Sequence, residues 1–479
     1  MNVDLENEGG GGLGMLAANR PLLTSVVVAF GLTALSVIGY LRSPSQGVAE
    51  GLPHVTNFAL NGLVALALPA VIAVFAPEKR SQRIVVAAAG AILLFAGGQI
   101  LTLYQDAAPA LRAAALYTAS ALTLLMIAPR RFFGDASSLA VAGPVTAVLG
   151  AFGAGGLISM ADAVSMEVVG AIASLSLALA CLVGVSLSAD FVRLFASGVD
   201  AHNAAGQAAH QALAPAANAA LVTVAVFSAG ILPGPQQLSW TWTAIFYSAG
   251  GIVVAVAATL LVTAASLSLR PVPETIAVGE NRRQSFARAL WRPIRQLLPP
   301  SSALAFVAIL AIVLIVALFE AYGATTLIKL ALIGLCAVAA GLTFVSVRTG
   351  FFVMAALFAA MVLIDAAIGV FGAARPQALA EMAAIAAGAA LFGQIALSWR
   401  DARDPRRKPH EAAEQAMIDG AYRYILGAIL GVSAFAMAAV SGLWDGGADA
   451  AWYLSCLSLV GFILAAPLMT AISALSSSH

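Results

Sequence analysis

The sequence predicts an all-α polytopic membrane protein, and three observations predict it. Of 479 residues, 61% are hydrophobic and only 10% charged, with a mean hydropathy of +0.94. The apolar residues gather into runs of about twenty, the length a helix needs to cross the hydrocarbon core of a bilayer. The basic residues fall in alternate gaps between those runs, as the positive-inside rule requires. A soluble fold of this composition lacks the polar side chains to cover its surface. That excludes a soluble enzyme, a disordered chain and a nucleic-acid binder working through a basic face.

Walking the chain gives 14 spans: 22–40, 58–76, 84–104, 110–128, 139–160, 168–189, 215–232, 242–269, 303–322, 326–347, 351–372, 378–397, 421–443 and 452–475. Residues 1–20 form an acidic, Gly-rich tail without the basic start of a cleaved signal peptide. With this tail in the cytoplasm and the spans alternating, about twenty of the 24 Lys and Arg residues fall inside. Only Arg42, Arg112, Lys329 and Arg375 fall outside. Both termini are therefore expected in the cytoplasm, in a bacterial-type inner membrane. Trp240, Trp242, Trp444 and Trp452 at outer span ends, and Trp291 and Trp399 at inner ends, fit an aromatic belt. Cys181, Cys336 and Cys456 lie inside apolar runs, as small packing residues rather than a disulfide or metal set.

Two inner loops resemble each other. One carries His202-Asn203-Ala204-Ala205-Gly206-Gln207-Ala208, the other His410-Glu411-Ala412-Ala413-Glu414-Gln415-Ala416. Both are Ala-rich, which favours short helices at the membrane surface. Extending the correspondence gives two six-helix repeats, 83–269 and 302–475, in parallel orientation. Residues 21–82 then form two N-terminal helices, 270–301 a basic cytoplasmic linker, and 476–479 a short tail.

A parallel six-span repeat, with a basic inner loop and an Ala-rich helix leading into the fifth span, resembles the membrane domain of the resistance-nodulation-division superfamily. The resemblance is to its mycobacterial-large, lipid-exporting type. It rests mainly on the stretch 399–443, and Asp190-Phe191 at the end of span six is similar to the Asp-Tyr pair of that family. The resemblance implies proton-driven export, with Asp190 as a relay acid. It also implies a chain lacking the family's periplasmic domains, because spans three and four, and nine and ten, are joined by short loops. Gln394 occupies the relay position in span twelve.

Ionisable groups inside a bilayer are expensive, and each is a functional candidate. Asp365 lies within span eleven and Lys329 near the outer end of span ten; as a pair they form a gate or a protonatable site, or a structural staple. Glu320 and Glu381 fall at similar depth, where the plain reading is snorkelling to the headgroups. Asp190 and Arg193, one turn apart, are expected to form a local ion pair. Asn61, Gln99, Asn218 and Gln394 are polar groups suited to interhelical hydrogen bonds. Pro144, followed by Gly150 and Gly153, marks a candidate helix break or a close-packing stretch. Arg282, Arg283, Arg288, Arg292 and Arg295 suit anionic lipid headgroups or an acidic protein partner.

No nucleotide loop, metal-ligand set or nucleophile motif is present, so neither enzyme activity nor a cofactor is expected, and no nucleic-acid partner. The oligomeric state stays open. The leading expectation is a secondary transporter exporting a lipidic or amphipathic substrate. A non-transporting scaffold or accessory subunit of a larger complex is the alternative. A 14-span major-facilitator exporter or lipid-linked-sugar flippase is a third, since the stretch 142–156 resembles a drug-antiporter Gly-Pro motif.

Overall fold

The computed structural model describes residues 13–41, 154, 156–158, 160, 165–229, 242–268, 324–371, 376–402, 408–440 and 442–476. Among the described residues the regular structure is all helical. Leu13–Asn19 is α1, Pro21–Leu41 α2, Met166–Ala196 α3, Ala201–Gln211 α4, Leu213–Ala229 α5 and Trp242–Ser268 α6. Ala324–Thr343 is α7, Val347–Phe371 α8, Ala378–Ala402 α9, Pro409–Val440 α10 and Gly447–Ser476 α11. Five of these are long and apolar enough to cross a membrane, or six if the bent α10 is included. The chain is a multi-pass membrane protein.

Two helices form the centre. The most apolar windows of α3 and α9 are 94% and 89% buried, against 50% for α6 and 56% for α8. Their sequences explain this. Both are apolar or small on every side, the signature of a helix surrounded by others. Two of the serines of α3 are satisfied within the helix: Ser174 Oγ donates to Gly170 O at 2.8 Å and Ser188 Oγ to Gly184 O at 2.8 Å. A hydroxyl that bonds back one turn needs no outside partner. Around this pair, α3 packs on α6 and α10, while α9 packs on α5, α8, α10 and α11. Small residues let the backbones close up: a Cβ at Gly427 of α10 would collide with Leu182 of α3 and Leu391 of α9.

The connections follow ordinary stop and start chemistry. Helix α3 ends where Gly198 takes φ +94°, a left-handed conformation that glycine enters without a Cβ clash. Asp200 then caps α4, accepting from the Asn203 N–H at 3.0 Å and from its side-chain amide at 2.6 Å. Those bonds, the backbone one foremost, hold the Asp200 carboxyl below the usual carboxylate range. The surface helix expected from the Ala-rich loop is thus present at 201–211. Helix α1 lies against it, with Gly14 on Ala209 and Met15 on Gly206.

Helices α7 and α8 make a tight hairpin. Gly350 approaches the Ala337 carbonyl so closely that a Cβ there would lie 2.7 Å from its oxygen. The turn places Val345 at φ 48°, with its side chain 92% exposed. A β-branched residue is strained in this region, at a cost of about 1–2 kcal/mol. Val345→Gly is expected to raise stability by about 1 kcal/mol, read as a higher Tm in detergent with an unchanged elution profile.

The second Ala-rich loop is also helical but does not stand apart from its span. Residues Pro409–Ala421 and Arg423–Ala439 run on within α10 and meet at a bend of 46°. In the first half of the chain, α4 and α5 are separate helices flanking Ala212. The face of the bundle on which α4 and the first limb of α10 lie is called the α4 face below.

Candidate functional site

The deepest charge in the described bundle lies where α3 nears the α4 face. Asp190 is 3% exposed and Arg423, at the bend of α10, is 8% exposed. Arg423 Nη2 donates to Asp190 Oδ1 at 2.5 Å. A charge-assisted contact of this kind is strong, and a planar guanidinium stays protonated under all ordinary conditions. Two charges withdrawn from water at one point need each other, since either alone carries a desolvation penalty of several kcal/mol. Here the two charges tie a central helix to a bent one.

The neighbours of Arg423 aim it. Tyr424 donates its hydroxyl to the Ser458 carbonyl of α11 at 2.8 Å, and its ring sits 5.9 Å from that of Phe392 and 5.5 Å from that of Phe462. With Tyr424 anchored against α9 and α11, the next residue back turns toward α3. Gly420, one turn earlier, lets α10 lie on α9: a Cβ there would stand 2.9 Å from Ser398 Oγ.

Arg193 plays a different part. Its Nη2 is 3.5 Å from Asp190 Oδ1, so the expected local pair is present, but its side chain is 49% exposed. It donates to Gln211 Oε1 of α4 at 2.8 Å, linking the end of α3 to the surface helix. Phe191, the residue after Asp190, is fully buried, brings no hydroxyl and stacks on Phe195 at 6.1 Å.

A turn deeper, the two central helices are bonded to each other. Ser186 Oγ donates to Gln394 Oε1 at 2.5 Å, both buried. The two positions are 208 residues apart, the same spacing as His202 and His410. Ser398 Oγ donates back to Gln394 O at 3.2 Å. Asn218 of α5 presses on α9 at Gly393, where a Cβ would overlap its side-chain amide nitrogen. Ser186, Gln394 and Ser398 thus form a small polar group in an otherwise apolar core, with Asn218 beside it at Gly393 and Ser186 one helical turn before Asp190.

The other sequence candidates lie elsewhere. Asp365 on α8 and Glu381 on α9 are near the opposite face. Glu381 is buried, at 9% exposure, rather than reaching out to the headgroups. Lys329 falls on α7, and its side chain lies outside the described residues. Glu320, Pro144, Gly150, Gly153 and the linker arginines Arg282, Arg283, Arg288, Arg292 and Arg295 also lie outside them. In the sequence Arg423 is only one of the basic residues expected inside, and nothing local pairs it with Asp190. The available signal was a lone basic residue four positions after Asp419, at the start of a span.

No family model matches the sequence. Nor does any curated protein. A solved structure does: SecDF, a resistance-nodulation-division superfamily transporter, in its super-membrane-facing form, with a TM-score of 0.51 at 12% identity. The chain has a membrane fold similar to that of SecDF. The match covers 78% of this chain and 62% of SecDF, so the chain spans less than two thirds of that protein's length. At this identity the likeness is one of fold.

Proposed function

We propose that the chain is a secondary transporter of the bacterial-type inner membrane, with both termini in the cytoplasm, in which Asp190 takes up and releases the coupling proton. The observation that carries this reading is the buried Asp190–Arg423 pair between α3 and α10. Protonation of Asp190 removes one charge of the pair and leaves Arg423 to find other partners. A two-state element biased by one proton is what coupling requires. The bend of α10 at Arg423 supplies that element: its two limbs share the residue whose partner is lost.

The repeat architecture belongs to the same reading. About 14 spans, arranged as two six-helix units and two N-terminal helices, put α3 and α9 at equivalent places. The packing supports this: α3 lies on α10 as α9 lies on α5, and Ser186 meets Gln394 at the repeat spacing. The substrate class is lipidic or amphipathic, as the resemblance to lipid exporters implies, and the basic linker at 282–295 contacts anionic headgroups or a protein partner.

The test uses proteoliposomes carrying a fluorescent short-chain phosphatidylethanolamine and an interior pH dye. A proton gradient should drive redistribution of the lipid between leaflets, and Asp190→Asn should reduce both signals at least tenfold while the protein still elutes as a single folded species. Wild-type levels of both signals in Asp190→Asn would overturn the reading. Absence of flux in the wild type, with stoichiometric co-purifying subunits, would instead favour the scaffold alternative.

A further inference from the structure

One oxygen of Asp190, Oδ1, faces two guanidinium groups of different kinds. Arg423 is buried and hydrogen-bonded to it. Arg193 is half exposed, and its Nη2 stands 3.5 Å from the same oxygen, within Coulomb range but beyond ordinary hydrogen-bond distance. A half-exposed arginine held by nothing else would spend much of its time in water, because a solvated ion pair is weak against the rotamer freedom of so long a side chain. Arg193 is held: the same Nη2 donates to Gln211 Oε1 at 2.8 Å. Gln211 is the last residue of α4, and α4 is firmly seated. Asp200 caps its start. Its inward face consists of the small residues Ala204, Ala205, Gly206, Ala208 and Ala209, all buried. Helix α1 closes on that face with Met15 against Gly206, where a Cβ would overlap the Met15 sulfur.

We propose that Gln211 is a positioning residue: it pins the Arg193 guanidinium beside Asp190, and through it the surface helix α4 sets how readily the acid takes up a proton. The inference rests on the reading of Asp190 as the coupling acid and names what tunes it. A fixed positive charge near a carboxylate favours the ionised form. Arg423 supplies that effect from inside the bundle and is the partner that protonation releases. Arg193 supplies it from the α4 face, as long as Gln211 keeps it there. Gln211 has no net charge, so its influence on the acid passes through Arg193. The other titratable groups around Asp190 are placed differently. On α10, Asp419 is exposed and bonded by Gln415 at 2.8 Å, and Lys408 to Glu414 lie two turns or more before Arg423. Arg400 and Asp401, at the end of α9, pair with each other at 3.4 Å. On α4, Asp200 is engaged in its cap, His202 lies in the first turn and His210 is exposed. Glu167 and Cys181 of α3 itself are at least two turns away. Helices α5 and α6 bring only Tyr247, near the far end of α6.

The experiment is an infrared titration of the full chain in lipid nanodiscs, following the C=O stretch of protonated carboxyl groups from about pH 4 to about pH 9. Subtraction of D190N/R423Q, which lacks the acid, isolates the Asp190 band. R193Q should raise the midpoint of that band by about one pH unit, the low end for a charge at this range because the arginine is half exposed. Q211A should raise it by about half as much. R193Q/Q211A should match R193Q, since no guanidinium is left to position. Both side chains are exposed, so both single variants should keep the wild-type Tm. An unmoved midpoint in Q211A, a move toward lower pH, or a Q211A shift that persists in the R193Q background overturns the proposal. A band that titrates and shifts as stated, with no proton-driven flux in the wild type, upholds the proposal and sinks the transporter reading. An Asp190 that never protonates in this range overturns both.

Discussion

Arg423→Gln is expected to lower stability by about 3–5 kcal/mol, because it strands the Asp190 carboxylate in the bundle interior. Arg193 stands 3.5 Å away but is half exposed and engaged with Gln211, so it replaces only part of the lost partner. Asp190→Asn should cost a similar amount by stranding the guanidinium. The double variant D190N/R423Q removes both charges and should recover most of the loss, since a neutral pair carries no buried charge to compensate. Thermal unfolding in detergent reads the stability and the flux assay reads the activity. The functional prediction is that the double variant folds well and transports nothing. If it regained transport, the pair would be a structural staple and not the coupling site.

Ser186→Ala should cost about 1–3 kcal/mol, the penalty for leaving the buried Gln394 carbonyl oxygen without its donor. Gln394→Leu alone should cost less, because the Ser186 hydroxyl is able to bond back to the preceding turn of α3. The combined S186A/Q394L variant should sit near the wild type. A coupling energy above about 0.5 kcal/mol in this cycle, measured as Tm and denaturant midpoints, is expected for groups in direct contact. Strict additivity would show that the bond contributes nothing to holding the central helices together.

The sequence made the helices legible because each span is a long apolar run, and it made the surface helices legible because alanine-rich segments have one strong preference. It also marked Asp190, since a carboxylate at a span end is conspicuous among so few charges. The partner of Asp190 was not legible. Arg193, three residues on, is the partner that local geometry offers, whereas Arg423 reaches it only through the packing of α10 on α3. Glu381 shows the converse: a glutamate at the start of a span has the length to reach the headgroups, but the first turn of α9 is enclosed by neighbouring helices, and the side chain is buried.

The pairing of Asp190 with Arg423 spans 233 residues, and that separation has a consequence for biosynthesis. At ordinary translation rates of about 5–20 residues per second, roughly ten to fifty seconds pass between the emergence of the acid and that of its final partner. During that interval α3 is already made, and its carboxylate has no distant guanidinium to meet. Arg193 emerges almost at once, one turn away on the same helix. It is thus the counter-ion within reach of the acid during insertion, and in the finished bundle it keeps its place 3.5 Å from Asp190 while donating to Gln211 at the surface.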